Sequence, residues 1–141
     1  TKLIDDHVKN AALMHHERCD GSGYPLHLTA NKIDIYAKMV AIADVYDAMT
    51  SARVYRDAIC PFRVIAILEE EGFQCYDTNF ILTFLSRIAN SYIQTTVKLS
   101  DGRKGKIVFI NKEHLSKPTV QIGNTFVDLS KEKDLSIEAM C

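Results

Sequence analysis

The feature that most limits the fold of this chain is a change in its apolar period near residue 92. Up to that point hydrophobic residues return every three to four positions, as along Phe80, Ile81, Phe84, Leu85, Ile88 and Tyr92, the spacing of helices with one buried face. Beyond it they alternate in short runs: Thr96-Val97-Lys98-Leu99, Lys106-Ile107-Val108-Phe109-Ile110, Thr119-Val120-Gln121-Ile122 and Phe126-Val127-Asp128-Leu129. Alternation places every second side chain on the same side of a strand, so these are strands with one face in a core. Asp101-Gly102 and Gly123-Asn124 separate them as hairpin turns. The expected class is α+β, with a mainly α-helical bundle over residues 1–94 and a small antiparallel β sheet or barrel of four or five strands over residues 95–141. Residues after Lys131 read as weakly paired or frayed.

Four helices are expected in the first part. One covers residues 1–16, opening near Asp5 or Asp6, with Val8, Ala11, Ala12 and His15 on a single buried stripe. A second opens at Asn31 as N-cap, with Asp34 completing a capping box, and runs to Thr50. Tyr36, Met39, Val40, Ile42, Ala43, Val45, Tyr46 and Met49 cover most of its circumference, so it reads as a central helix buried nearly all round. Asp44 and Asp47 then require partners, because an uncompensated buried carboxylate costs several kcal/mol. A third helix starts at Pro61 and stops at Gly72, and a fourth covers residues 78–93. Glu69-Glu70-Glu71 reads as a solvated face.

The chemistry is concentrated in His15-His16-Glu17-Arg18-Cys19-Asp20-Gly21-Ser22-Gly23-Tyr24-Pro25. Two adjacent imidazoles project about 100° apart on a helix and can both serve one cluster of metal ions. A lone histidine is most simply a core residue bonded to a carbonyl; a tandem pair reverses that preference. Gly21 and Gly23 strip the following loop of side-chain bulk, and Pro25 biases Tyr24 toward extended backbone. Cys19 is a candidate soft ligand, three residues after His16. His7 lies off the stripe and reads as a surface residue.

Composition argues against several alternatives. A net charge of −1 with dispersed basic residues gives no field for bulk nucleic acid. Four scattered cysteines without a C-x-x-C pair fit neither a zinc knuckle nor a secreted disulfide framework. No apolar run is long enough to span a membrane, and the scattered cysteines fit a reducing cytosol, so a cytoplasmic setting is expected.

The run from His15 to Pro25 closely resembles the signature of the HD-GYP family, a branch of the HD superfamily of metal-dependent phosphohydrolases that linearises cyclic di-GMP. The resemblance continues through Ile42-Ala43-Asp44-Val45-Tyr46-Asp47-Ala48-Met49-Thr50-Ser51 and Arg53-Val54-Tyr55-Arg56. It implies metal ligation by His15, His16 and Asp44, with Glu17 and Asp47 orienting neighbours. It also implies substrate contacts from Asp20, Gly23, Tyr24 and Pro25 and a phosphate clamp at Arg53 and Arg56. Iron or manganese is expected by analogy, with zinc also suited to imidazole and carboxylate ligands. The nucleophile implied is a metal-bound water rather than a side chain, and the product is linear pGpG or GMP. The tail from residue 95 resembles the β extension that follows HD-GYP domains in some Gram-positive bacteria.

The family's eponymous His-Asp pair has no counterpart here. The chain therefore reads as the C-terminal portion of a longer enzyme, inactive alone, behind an upstream sensor or receiver domain. Uncovered helix faces would favour a homodimer. Competing readings are a degenerate module that senses cyclic di-GMP or docks a partner without cleavage, another HD-type hydrolase acting on signalling nucleotides such as ppGpp, and a siteless helical scaffold.

Overall fold

The computed structural model describes residues 6–52, 54 and 57–141. Helix α1 spans Asp6–Met14, α2 Ile35–Thr50, α3 Pro61–Cys75 and α4 Thr78–Ser91. Strands β1 Thr96–Leu99, β2 Lys104–Phe109, β3 Thr119–Ile122, β4 Thr125–Asp128 and β5 Ile137–Met140 follow, with single 3₁₀ turns at Ala30–Lys32 and Leu129–Lys131. The strands form one antiparallel sheet in the order β4-β3-β2-β1-β5. Its outer strands do not pair with each other, so the α+β class holds with a sheet and not a barrel.

The tail after Lys131 is more ordered than its composition implied. Residues 137–140 pair with β1 as a fifth strand, anchored by the buried Ile137. Alternation along β1 and β2 buries Val97, Leu99 and Ile107 while Lys98, Lys104 and Lys106 face solvent. Gly105 also belongs to the buried face, where a Cβ would sit 2.4 Å from Val120 Cγ1. The glycine lets β2 and β3 approach as closely as they do.

Contacts divide the chain into two compact units, residues 1–49 with 70–84 and residues 50–69 with 85–141. The first centres on Ile33, Ala37, Ala41, Ile42, Tyr76 and Ile81, and the second on Phe62, Val64, Ile65, Leu68, Leu85 and the inner sheet face. Within the second unit, Glu69 accepts bonds from Leu115 N–H at 2.9 Å and Ser116 N–H at 3.1 Å. Of the three consecutive glutamates, Glu69 is thus a loop anchor and not part of a solvated face.

Several helical expectations change. Helix α2 opens at Ile35 because Asp34, not Asn31, accepts from the Tyr36 N–H at 2.9 Å, the bond of an N-cap. Helix α3 runs through Gly72 to Cys75, with Tyr76 N–H bonded to the Gly72 carbonyl. Helix α4 starts as read, since the Asp77 carboxylate accepts from Phe80 N–H. The largest correction concerns burial. Only Ala37, Ala41 and Ile42 of α2 are buried, while Tyr36, Met39 and Val40 are 40–49% exposed and Asp44 and Asp47 face solvent. In α1 no residue is buried, and Val8 is exposed. An apolar circumference records what a helix is able to bury; here α2 is covered on one side only. Among the described residues no helix is long and apolar enough to cross a membrane.

Candidate metal centre

His15 and His16 lie immediately after α1, in the turn that reverses the chain into the glycine loop. The His15 Nδ1 lies 3.1 Å from the Ala11 carbonyl and 3.0 Å from that of Ala12. A carbonyl only accepts, so Nδ1 carries the proton and Nε2 holds the free lone pair. Metal-binding histidines are commonly oriented by such a bond on the second nitrogen. The His16 ring packs against His15 at 3.9 Å between centroids and stacks on Tyr24 at 4.7 Å and 14°.

Helix α2 brings Asp44 to the same place. One ligand atom from each of His15, His16 and Asp44 lies within 4.8 Å of the others. Metal–ligand bonds of about 2.0–2.2 Å allow donors on one ion to stand up to roughly 4.4 Å apart, so a closure of about half an ångström seats all three. Two half-buried imidazoles and an exposed carboxylate are a donor set for a first-row divalent ion. Because Asp44 is exposed, its assignment rests on this convergence and not on the cost of burying it.

The loop is held against the histidines by its own backbone. Glu17 is 2% exposed, and its two carboxylate oxygens accept from Leu26 N–H at 2.6 Å and Leu28 N–H at 2.8 Å. Gly23 passes so close that a Cβ would lie 2.3 Å from the His16 carbonyl oxygen and 2.5 Å from Arg18 N. Tyr24 N–H donates to that same His16 carbonyl, and Tyr24 precedes a cis peptide bond to Pro25. Gly21 takes φ +82°, a backbone conformation open to glycine at little cost. Asp20 accepts from both the backbone N–H and the hydroxyl of Ser22, which hold its carboxyl below the usual range. Arg18 caps the turn, donating to the carbonyls of His15 and Glu17, and lies 5.0 Å over the Tyr76 ring.

Two further contacts were not visible in the sequence. Cys19 N–H bonds the Cys75 carbonyl at 2.7 Å, tying the loop to the end of α3, and burial raises the pKa of both thiols. Cys19 stands outside the three-donor cluster. His7, read as a plain surface residue, bonds Asp34 at 2.8 Å and packs on Tyr36. Arg53 and Arg56, the expected phosphate clamp, lie outside the described residues. Asp47 is exposed on α2 and is not a member of the cluster.

Comparison with known proteins gives this arrangement a lineage. The HD domain family matches residues 2–80, more than half of the chain. A cyclic di-GMP phosphodiesterase of Vibrio cholerae serotype O1 is 41% identical over 79 residues, 56% of this chain and 16% of that protein. A cyclic di-GMP phosphodiesterase of Pseudomonas aeruginosa is 32% identical over 115 residues, 82% of this chain and 28% of its own length. A 3'3'-cGAMP-specific phosphodiesterase of V. cholerae is 47% identical over 57 residues, 40% of this chain and 13% of that protein. The chain thus spans less than a third of the length of each of these relatives. Its tandem histidines, glycine loop and matched span together make it a member of the HD domain family.

Proposed function

We propose that this chain forms part of the catalytic domain of a cytoplasmic, metal-dependent cyclic di-GMP phosphodiesterase, with the helical part over residues 1–94 carrying the chemistry and residues 95–141 an extension. The observation that carries the reading is the convergence of His15, His16 and Asp44 beside a loop, His15 to Pro25, that resembles the HD-GYP signature. A divalent ion, iron or manganese by analogy, would lower the pKa of water toward neutrality and offset charge on the attacked phosphodiester. His15 contributes a pre-oriented Nε2, since its proton is committed to the α1 carbonyls. The Tyr24 ring limits rotation of the His16 imidazole, while Glu17 and Gly23 fix the loop that carries Tyr24. Tyr24 is itself 58% exposed and can present an aromatic edge or hydroxyl to a guanine. Asp20, Pro25, Arg53 and Arg56 complete the substrate contacts in this reading, with Asp47 supporting them.

Three donors serve one ion; catalysis on two ions calls on ligands outside this cluster. Manganese- or iron-loaded protein, as the 141-residue chain and within a longer polypeptide that contains it, should therefore be given cyclic di-GMP. The longer polypeptide should release pGpG or GMP and the short chain little or none. In the longer one His16→Ala and Asp44→Asn should each lower turnover at least about a hundredfold, the scale of losing a catalytic ion's ligand. Undiminished turnover in both variants would overturn the assignment. Metal binding without cleavage by the longer polypeptide would instead mark a cyclic di-GMP sensor. The match to a 3'3'-cGAMP-specific enzyme makes that dinucleotide the informative competing substrate.

A further inference from the structure

The sheet carries a second surface that the metal centre does not use. Opposite its buried face, the register collects Lys98 and Lys104, which are direct cross-strand partners, and Lys106, two residues along β2. One row crosses four strands as Thr96, Lys106, Gln121 and Phe126. Phe126 therefore stands two strand spacings, about 9.6 Å, from Lys106. Phe109 lies on the same exposed side, beyond an irregularity in the pairing of β2 with β3. The two phenyl rings belong to residues that are 61% and 63% exposed.

Among the described residues the ion pairs are His7–Asp34 and Arg103–Asp101, so the three lysines have no carboxylate within 4.0 Å. Like charges directly opposite one another destabilise a sheet. The exposed phenyl rings share this face, which also carries Asp128 in the row Phe109, Thr119, Asp128, its carboxylate taken up by the Ser130 N–H and hydroxyl; lysines and phenyls together suit a ligand that offers both negative charge and flat apolar faces. The chain's net charge conceals this surface. Residues 95–141 hold eight Lys and Arg against six Asp and Glu, a balance of +2, while residues 1–94 hold nine against twelve, a balance of −3.

We propose that this open sheet face binds single-stranded nucleic acid, with the lysines on phosphates and Phe109 and Phe126 under bases. Pairing hides base faces in a duplex, and lipid headgroups have none, so a single strand is the polyanion that satisfies both features. From Lys104 to Phe109 the patch extends about 17 Å along β2 at 3.4 Å per residue, more than one mononucleotide covers. The proposal is independent of the hydrolytic reading.

Fluorescence anisotropy of a labelled single strand of about 12 nucleotides, titrated with the 141-residue chain at several salt concentrations, tests it. Three phosphate contacts predict a slope of log affinity against log salt of about −2, reduced by about 0.7 for each of Lys98→Gln, Lys104→Gln and Lys106→Gln. Phe126→Ala should weaken binding about five- to a hundredfold with the slope unchanged. Circular dichroism establishes that each variant keeps its strands, as exposed positions allow. Absence of binding, equal binding of a duplex or an anionic vesicle, or a salt slope indifferent to all three lysines would each overturn the proposal. Substituting His16 or Asp44 should leave this binding intact, which separates its failure from that of the metal centre.

Discussion

Glu17 shows how a single carboxylate can hold a candidate site together. It is buried, among the described residues it has no cationic partner, and both its oxygens are spent on backbone N–H groups nine and eleven residues onward. Glu17→Gln replaces one acceptor with an NH₂ group facing an N–H, leaving a buried donor unsatisfied at about 1–3 kcal/mol. Urea unfolding should show that loss, whereas Glu70→Gln at an exposed position should stay within about 0.5 kcal/mol of the parent. Gly23→Ala is expected to be at least as damaging, because the colliding atoms are backbone and cannot swing aside; a loss of about 1–3 kcal/mol in the same measurement is the expected outcome. The tandem histidines and Asp44 could be read from residue type and family pattern. Glu17's acceptors and Gly23's neighbours could not, since both depend on where the loop returns. Gly21 and Gly23 marked a loop without side-chain bulk, not that Gly23 lies against His16 and Arg18.

At the scale of elements, α2 was recognisable by its composition but not by its burial or its start. Asn31 and Asp34 are both good caps, and Asp34 prevails while it also accepts from His7 and Asn10 of α1. Desolvation pushes the Asp34 carboxyl up, but the bonds from His7, the Tyr36 N–H and Asn10 outweigh it and hold the folded pKa below the ordinary 3.8. The hook between α1 and α2 is therefore complete above the unfolded value and is lost as pH falls through the folded one. Far-ultraviolet circular dichroism should show helix loss below about pH 4 that is smaller in Asp34→Asn, which has no carboxylate to protonate. In the sheet, alternation identified four strands, and turn residues placed the β1–β2 and β3–β4 connections. Strand β5 escaped because four residues, Ile137-Glu138-Ala139-Met140, are too few to show a period; its pairing with β1 depends on tertiary placement. Gly105→Ala should cost about 1–3 kcal/mol in urea unfolding, as overpacking against Val120 requires.

For the whole molecule, an uncovered apolar surface matters more than any single contact. Val8, Tyr36 and Val40, with Ala11 and His7, line a cleft of about 500 Å³, and Leu13 and Met39 are also exposed. Such an exposed apolar surface favours association. We infer a homodimer through this face, so sedimentation velocity should show concentration-dependent dimers that Val40→Asp shifts to monomer. A monodisperse wild-type monomer would exclude this association. The fold class was legible from the change of period, but the grouping of α3 and α4 residues into different compact units was not, because periodicity describes the face of a helix and not its neighbours along the axis. The last strand carries a practical consequence. Because β5 is the outer neighbour of β1, removing residues 137–140 would turn a segment containing Val97 and Leu99 into a bare edge with unpaired amides, a template for fibrillar stacking. A few residues of unremarkable sequence thereby decide which strand the sheet offers to other chains on that side, β4 being its other edge.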